Sequence, residues 1–393
     1  MTPTRSERSH RLAELARLFL KLGTIAFGGP AAHIAMMEEE VVRRRQWLSH
    51  AEFLDLLGAT NLIPGPNSTE MAIHIGHRRA GFPGLLVAGT CFIVPAMLIV
   101  TAFAWAYVRF GKLPQAEALL YGVKPVIIAV VFQALWGLSK SAVKTVFLGA
   151  VVALAIALEF VGVNELIVLL GAGIVTGVTG GVRKRPTPVQ AAIAPLPGFK
   201  PLLAAVPAGA ATVSAPFGLW PLFVFFLKVG SVLYGSGYVL LAFLRSGLVE
   251  HFGWLTEGQL LDAVAVGQIT PGPVFTTATF IGYLLGGTQG ALVATVGIFL
   301  PAFFFVAISG PLVPRIRRSA IAGAFLDGVN AASLALMIVV TLQLTRAAVV
   351  DWVTLTLALF TAFLLVKYKL NSAWLVAIGA TVGLLKLALG NLS

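Results

Sequence analysis

The tripeptides Pro64-Gly65-Pro66 and Pro271-Gly272-Pro273 are the positions in this chain best suited to hold a ligand. Each interrupts a helical, mostly apolar stretch. A helix that restarts after such a break has unsatisfied N–H groups and the positive end of its dipole at its first turn. That combination binds anions. Asn67-Ser68-Thr69-Glu70 follows the first break, and Val274-Phe275-Thr276-Thr277 follows the second. The first set is polar and the second mostly apolar, so substrate contact is expected chiefly at the first. Thr270 directly precedes the second break, while Asn61 and Gln268 lie three residues before their tripeptides. Those two amides could donate to an anion or satisfy backbone that the prolines set free.

Other side chains could assist. Lys21 and Lys228 lie inside apolar segments, where an ammonium is costly unless it has a task or can snorkel to water. Either could meet a divalent oxyanion as a point charge. Lys124 lies within a predicted span. Glu70, His74 and His77 recur at i, i+4 and i+7 on one helix face, a spacing open to a proton relay through Glu70 and His74, to a metal, or to an amphipathic interfacial helix. No metal site is expected, because no further carboxylate or thiol is evidently recruited. His33 follows Gly28-Gly29-Pro30 and is either a substrate contact or a hydrogen-bonded structural residue. Asp55 and Asp262 are expected to pair with Arg or Lys. The run Glu38–Glu40 before Arg43–Arg45 reads as a solvated helix end with i,i+4 pairs.

The elements that must position these groups belong in a membrane. Of 393 residues, 58% are hydrophobic and only 11% charged, and mean hydropathy is +0.91. Soluble domains carry about twice that charged fraction. A soluble enzyme, a disordered chain and a nucleic-acid-binding domain are thereby excluded. The net charge of +12 sits in short basic runs between apolar segments, as orientation-setting loops do. The single cysteine, Cys91, precludes an intrachain disulfide. No short apolar core with a cleavage site follows the basic start, so no signal peptide is expected.

The chain repeats itself. Phe19 to Gly28 aligns with Phe226 to Gly235 at an offset of 207, and the same offset superposes Trp47-Leu48 on Trp254-Leu255, Asp55 on Asp262, and the two Pro-Gly-Pro motifs. After a slip of one residue, Ile75-Gly76 matches Ile281-Gly282, and Lys124 has Asn330 as its mate. The expected organisation is an N-terminal membrane repeat over 1–182, a linker over 183–215 and a C-terminal membrane repeat over 216–393. Ser49-x-x-Glu52 and Thr256-x-x-Gln259 are capping boxes. Each opens a helix that must stop at Pro-Gly-Pro. Ser49 to Leu62 covers about 21 Å at 1.5 Å per residue, against a hydrocarbon core of about 30 Å. A re-entrant hairpin with its tip at depth is therefore expected in each half. The fold class is all-α and polytopic: two inverted-topology repeats, each of five spans plus one hairpin. The first segment of each half, near 12–37 and 216–244, counts as an interrupted span.

Basic residues flank the first hairpin (Arg43–Arg45, Arg78, Arg79), whereas the second keeps only Arg245. The first hairpin should therefore open to the cytoplasm and the second to the outside. On this span count the N-terminus, with Arg5, Arg8 and Arg11, falls outside, against its charge. Either that segment does not fully cross or charge misleads there. Gly171, Gly173, Gly177, Gly180 and Gly181 could pack helices within one chain or between two copies, leaving a homodimer open.

Paired broken helices in inverted repeats are a transporter pattern. Phe27-Gly28-Gly29-Pro30-x-x-His33, the two Pro-Gly-Pro motifs and two repeats of about 200 residues together resemble the chromate ion transporter family in its long two-domain form. The resemblance covers nearly the whole chain. It implies efflux of chromate across the bacterial plasma membrane, with sulfate as a related oxyanion, oppositely oriented halves and no ATP-binding domain. No GxxxxGK[ST] motif occurs and no cofactor is expected. The second half departs from the pattern: Gly235-Ser236-Gly237 replaces Gly-Gly-Pro and no His follows. The expected function is secondary active export of a tetrahedral oxyanion by alternating access, in contact with chromate or sulfate and the lipid bilayer. A sulfate transporter or a passive anion channel on the same fold is the alternative. The enzyme motifs HExxH and GxSxG are absent, so no enzyme is expected.

Overall fold

The computed structural model describes residues 5–27, 29–183, 216–234, 239–368, 370 and 372–390. Gly28, residues 184–215 of the expected linker and Gly235-Ser236-Gly237 lie outside these. Every described element is a helix. Among the described residues, five stretches are long and apolar enough to cross a bilayer: Asn67–Phe110, Pro114–Ala142, Val274–Ser309, Ile321–Ala348 and Ser372–Gly390. The chain is a multi-pass membrane protein.

Both capping boxes form. Ser49 and Glu52 open α3 (His50–Thr60), and Thr256 and Gln259 open α10 (Glu257–Ile269). The helix that follows each Pro-Gly-Pro is not continuous. In α4 (Asn67–Phe110) the backbone leaves helical geometry at Ala80 and Gly81, the latter at φ +65°. In α11 (Thr277–Arg318) Gly286 and Gly287 repeat that turn, with Gly287 at φ +58°. A side chain at φ near +60° costs about 1–2 kcal/mol, which glycine avoids. Beyond each turn the chain doubles back, with Gly76 against the backbone of Gly84 and Gly282 against that of Gly290. Residues 67–79 are thus the return leg of a hairpin whose first leg is α3. Arg78 meets Glu52 at 3.0 Å where the hairpin opens, and Asn67 donates to Asn61 at 2.9 Å across its tip. Each leg rises only about 16–20 Å.

The first segment departs from expectation. It is not one interrupted span but two antiparallel legs, α1 (Arg5–Ile25) and α2 (Gly29–Glu38, extended by a π-turn over Glu39–Arg44), folding back at Ala26–Gly29. The pairs along it fix the geometry. His33 bonds to the Ala26 carbonyl at 3.0 Å, Lys21 meets Glu40 at 2.8 Å, and Trp47 and Glu14 both receive Arg79. Arg11 consequently lines a small cavity with Trp47, Glu52, Arg78 and Arg79. The start of α1 lies on the same face as Arg43–Arg45, which resolves the charge conflict. The hydrogen bond from Arg79 holds Glu14 below the usual carboxylate range. The second half does the same. α8 (Leu219–Val232) and the leg from Val239 to His251 place Phe225 against Gly247 and Phe252, and Phe217 against Trp254. Among the described residues, each half therefore shows two fold-backs and four legs running between the faces, where one hairpin and five spans were expected. The reason lies in the breaks: Gly29, at φ +78°, turns the chain instead of merely kinking it.

The two halves interlock reciprocally. The Gly65 N–H donates to the Leu233 carbonyl at 2.7 Å, and the Gly272 N–H donates to the Ala26 carbonyl at 2.9 Å. Leu233 and Ala26 are repeat mates, as are the two glycines. Each tip is thus held by the fold-back of the other half. α5 (Pro114–Ala142) and its mate α12 (Ala320–Ala348) lie antiparallel. Tyr121 near the start of α5 donates to Asp351 beyond the end of α12 at 2.6 Å. Lys144 beyond the end of α5 meets Asp327 near the start of α12 at 2.7 Å. α5 also packs on α13 (Trp352–Tyr368) and α14 (Ser372–Gly390), and α12 on α6 (Val146–Phe160) and α7 (Glu165–Arg183). Gly173 and Gly177 of α7 face Phe325 and Ile321 of α12, so those glycines serve packing within this chain.

Candidate functional site

The breaks converge on one space. A cavity of about 650 Å³ opens beside Lys144, on the face where the first hairpin opens, and reaches both tips. Asn61, Pro66, Asn67 and Ser68 of the first hairpin line it, as do Val274 and Phe275 of the second. Pro30, Ala31 and Ile34 of α2, Gln133 and Ser141 of α5, Lys144 of the α5–α6 connection and Asn330 of α12 also line it. A second cavity, of about 660 Å³, opens at the opposite face and is lined by Tyr107, Tyr121, Lys124, Gln259 and Asp262 among others. It does not include the tips.

At the first tip, Pro64, Gly65 and Pro66 are buried, and Gly65 adopts φ +140°. Pro66 is the N-cap residue of α4. Helix geometry leaves the N–H groups of Asn67 and Ser68 without intrahelical acceptors, while Thr69 and Glu70 donate theirs to the Pro66 carbonyl. The amides of Asn61 and Asn67, the Ser68 hydroxyl and two backbone N–H groups are therefore the donors that the first tip offers. Behind them, on the buried side of the return leg, lies a polar cluster. Glu70 is fully buried, and neither of its oxygens has a described hydrogen-bond partner. Thr69 Oγ1 and His74 Nε2 are orphaned in the same way. The Glu70 carboxylate fills the space that a side chain on Gly65 would need. No hydrogen bond links Glu70 directly to His74.

The second tip has the same backbone and different chemistry. Pro271, Gly272 and Pro273 are buried, and Gly272 adopts φ +89°. Thr270 donates to the Val266 carbonyl, Thr276 to that of Pro273 and Thr277 to that of Val274, at 2.8–2.9 Å. All three hydroxyl hydrogens are thus spent on local backbone. Gln268 is half-buried and does not line the shared cavity.

Several expected site residues lie elsewhere. Lys21 is half-exposed and paired with Glu40, whose carboxyl the lysine, and then Arg45, hold below the usual range. Its mate Lys228 has Gly247 where Glu40 would be and lines a separate cavity of about 420 Å³ with Glu165 and Ser246. His33 is buried, bonded to Ala26 and edge-on to Phe92 at 5.7 Å. It locks the fold-back, and Gly29 stands at the same turn. Lys124 pairs with Asp262 at 3.1 Å and lines the opposite cavity. Gln133, Ser141 and Lys144 were not foreseen. The one legible signal was Gln133, a lone amide in the apolar run from Val126 to Trp136.

Known proteins place this architecture. A profile described as Chromate transporter matches residues 13–178 and 220–384, once per half. The chromate transport protein of Cupriavidus metallidurans is 34% identical over 386 residues, covering 96% of this chain and 93% of that protein. The probable chromate transport protein of Synechococcus elongatus is 32% identical over 96% of both chains. The chromate transport protein of Pseudomonas aeruginosa is 32% identical over 91% of this chain and 88% of its own length. No solved structure matches. Since the profile claims both halves and three relatives align along nearly their whole lengths, the chain belongs to the chromate transporter family.

Proposed function

We propose that this chain exports chromate across the bacterial plasma membrane as a secondary active transporter working by alternating access. The observation that carries the reading is the cavity that opens at one face and ends on both broken-helix tips. Substrate sits there against Asn61, Asn67, Ser68 and the N-terminal dipole of the return leg. An oxyanion held by helix N-termini, amides and hydroxyls needs no arginine, and among the described residues none lines this cavity. The antiparallel α5–α12 pair and the exchanged bonds at Gly65 and Gly272 support an inverted-repeat arrangement. The short hairpin legs support re-entrant tips at mid-membrane. The basic residues gathered where the first hairpin opens support a cytoplasmic position for that face. Glu70 is the coupling group: an ionisable carboxyl buried behind the tip, with no described donor, is expensive to keep in the membrane without a task. Its proton would exchange by way of His74 through water or a side-chain movement, since the two are not in direct contact.

Flux of radiolabelled chromate into inverted vesicles tests this, with excess sulfate and with the proton gradient collapsed. Accumulation that sulfate suppresses and an uncoupler abolishes is the expected result. Sulfate accumulation without chromate accumulation would move the substrate to sulfate. Downhill flux alone would make the protein a channel.

A further inference from the structure

The two cavities come within six residues of each other along α5, from Lys124 to Val130, about 9 Å of helix rise. Pro125 to Ala129 between them are buried. At the floor of the cavity that misses the tips stands a cluster joining three helices. Lys124 of α5 meets Asp262 Oδ1 of α10 at 3.1 Å. Tyr107 of α4 donates to Asp262 Oδ2 at 2.8 Å, and its ring stands edge-on to Phe280 of α11 at 5.3 Å. The Asp262 side chain is 5% exposed and that of Lys124 is 22% exposed. This cluster ties the first leg of the second hairpin to the corner between α4 and α5.

The repeat supplies the control. The mate of Lys124 is Asn330, which lines the open cavity, and the mate of Asp262 is Asp55, which is exposed. Where the cluster exists the path to the tips is shut; where its cation is replaced by an amide the path is open.

We infer that Lys124, Asp262 and Tyr107 form the lock that closes the substrate path on the second hairpin's side, and that this path opens only when Lys124 and Asp262 part. The inference rests on the alternating-access reading. Asp262 and Tyr107 thereby acquire a positioning role in transport without touching substrate. Lys124 acts as half of the lock rather than as an anion ligand.

Labelling tests this apart from transport. Val274→Cys, in a Cys91→Ser background, places a reporter at the second tip. A membrane-impermeant, charged thiol reagent is applied to the full chain in vesicles from each face, without substrate. The parent should label from the face where the first hairpin opens and not from the other. Asp262→Asn and Lys124→Gln should raise the labelling rate from the opposite face about tenfold or more, since removing one partner of a buried ion pair destabilises the arrangement it holds. The exchange Lys124→Asp with Asp262→Lys should restore one-sided labelling, which a substrate-binding lysine would not require. Unchanged labelling of folded single variants, or two-sided labelling of the exchanged pair, overturns the lock. If the single variants do not fold, Tyr107→Phe decides, because it keeps the ring on Phe280 and removes only the hydroxyl. A severalfold rise from the opposite face supports the lock, and an unchanged rate overturns it. A parent reporter that labels from neither face would overturn both the lock and the cavity reading beneath it.

Discussion

The two tips share a backbone and differ in what they present. Gly65 and Gly272 both adopt positive φ and both donate to a carbonyl in the other half's fold-back. At the first tip Asn67 and Ser68 face the cavity and Glu70 lies buried behind them. At the second, Val274 and Phe275 face the cavity and Thr276 and Thr277 bond to their own helix. Duplication has preserved the frame, which both halves need in order to hold each other. On the proposed function, the anion-binding chemistry belongs to one copy.

The largest effects should come from breaking the shared frame, and should be equal in the two halves. Gly65→Ala would drive its Cβ into Glu70, and Gly272→Ala would set one 2.5 Å from the Ala96 Cβ. Strained φ adds roughly 1–3 kcal/mol in either case. Both variants should lose chromate flux and most of their folded yield in fluorescence-detected size exclusion. A harmless Gly272→Ala would mean the second tip is not held as described.

Next come changes that should separate the halves. Asn67→Val, which makes the first tip resemble the second, should cut chromate flux roughly tenfold or more, as expected for a lost hydrogen bond to a charged group. Val274→Asn should alter it less than about twofold, because neighbouring hydroxyls are already committed to backbone. Equal effects would erase the distinction between the tips.

Glu70→Gln should keep downhill chromate movement and abolish its response to the proton gradient. Thr277→Val, at the mate position, should leave that response intact. Counterflow with and without an uncoupler reads both. A Glu70→Gln protein that still concentrates chromate would remove Glu70 from coupling.

The smallest effect distinguishes the lysine pair. Lys21→Met leaves the largely buried Glu40 with Arg44 and Arg45 and should cost on the order of 1 kcal/mol, since the lysine itself is half-exposed. Lys228→Met should cost nothing measurable in thermal unfolding. Glu40 lies below its ordinary range, so the stability it contributes is present above the usual carboxylate pKa and fades as pH falls through its lowered value. The Lys21→Met deficit should therefore shrink in acid.

Much of this was legible in the sequence. The repeat, the capping boxes, the paired breaks and the polarity of the first tip follow from residue spacing alone. The fold-backs at Ala26–Gly29 and after Leu233 were not legible. An apolar stretch with one Gly-rich break looks the same whether it continues or turns, and the Ala26–His33 and Lys21–Glu40 pairs that decide the matter are tertiary. The same limit explains Lys21. Sequence put an ammonium in an apolar segment, but only the returning leg brings Glu40 to it. The cavity wall around α5 was scarcely legible for a third reason: Gln133 stands out as a lone amide in an apolar run, but it and Lys144, just beyond α5, reach the cavity through helix packing that no local pattern encodes.

The central claim is that substrate is held by the first tip within the cavity both tips share. Equilibrium binding of radiolabelled chromate to the protein in nanodiscs tests it most directly, comparing the parent with Asn67→Val and Val274→Asn. The account predicts affinity weakened roughly tenfold or more by the first substitution and little changed by the second. Binding that survives Asn67→Val, or that falls equally in both, would contradict it.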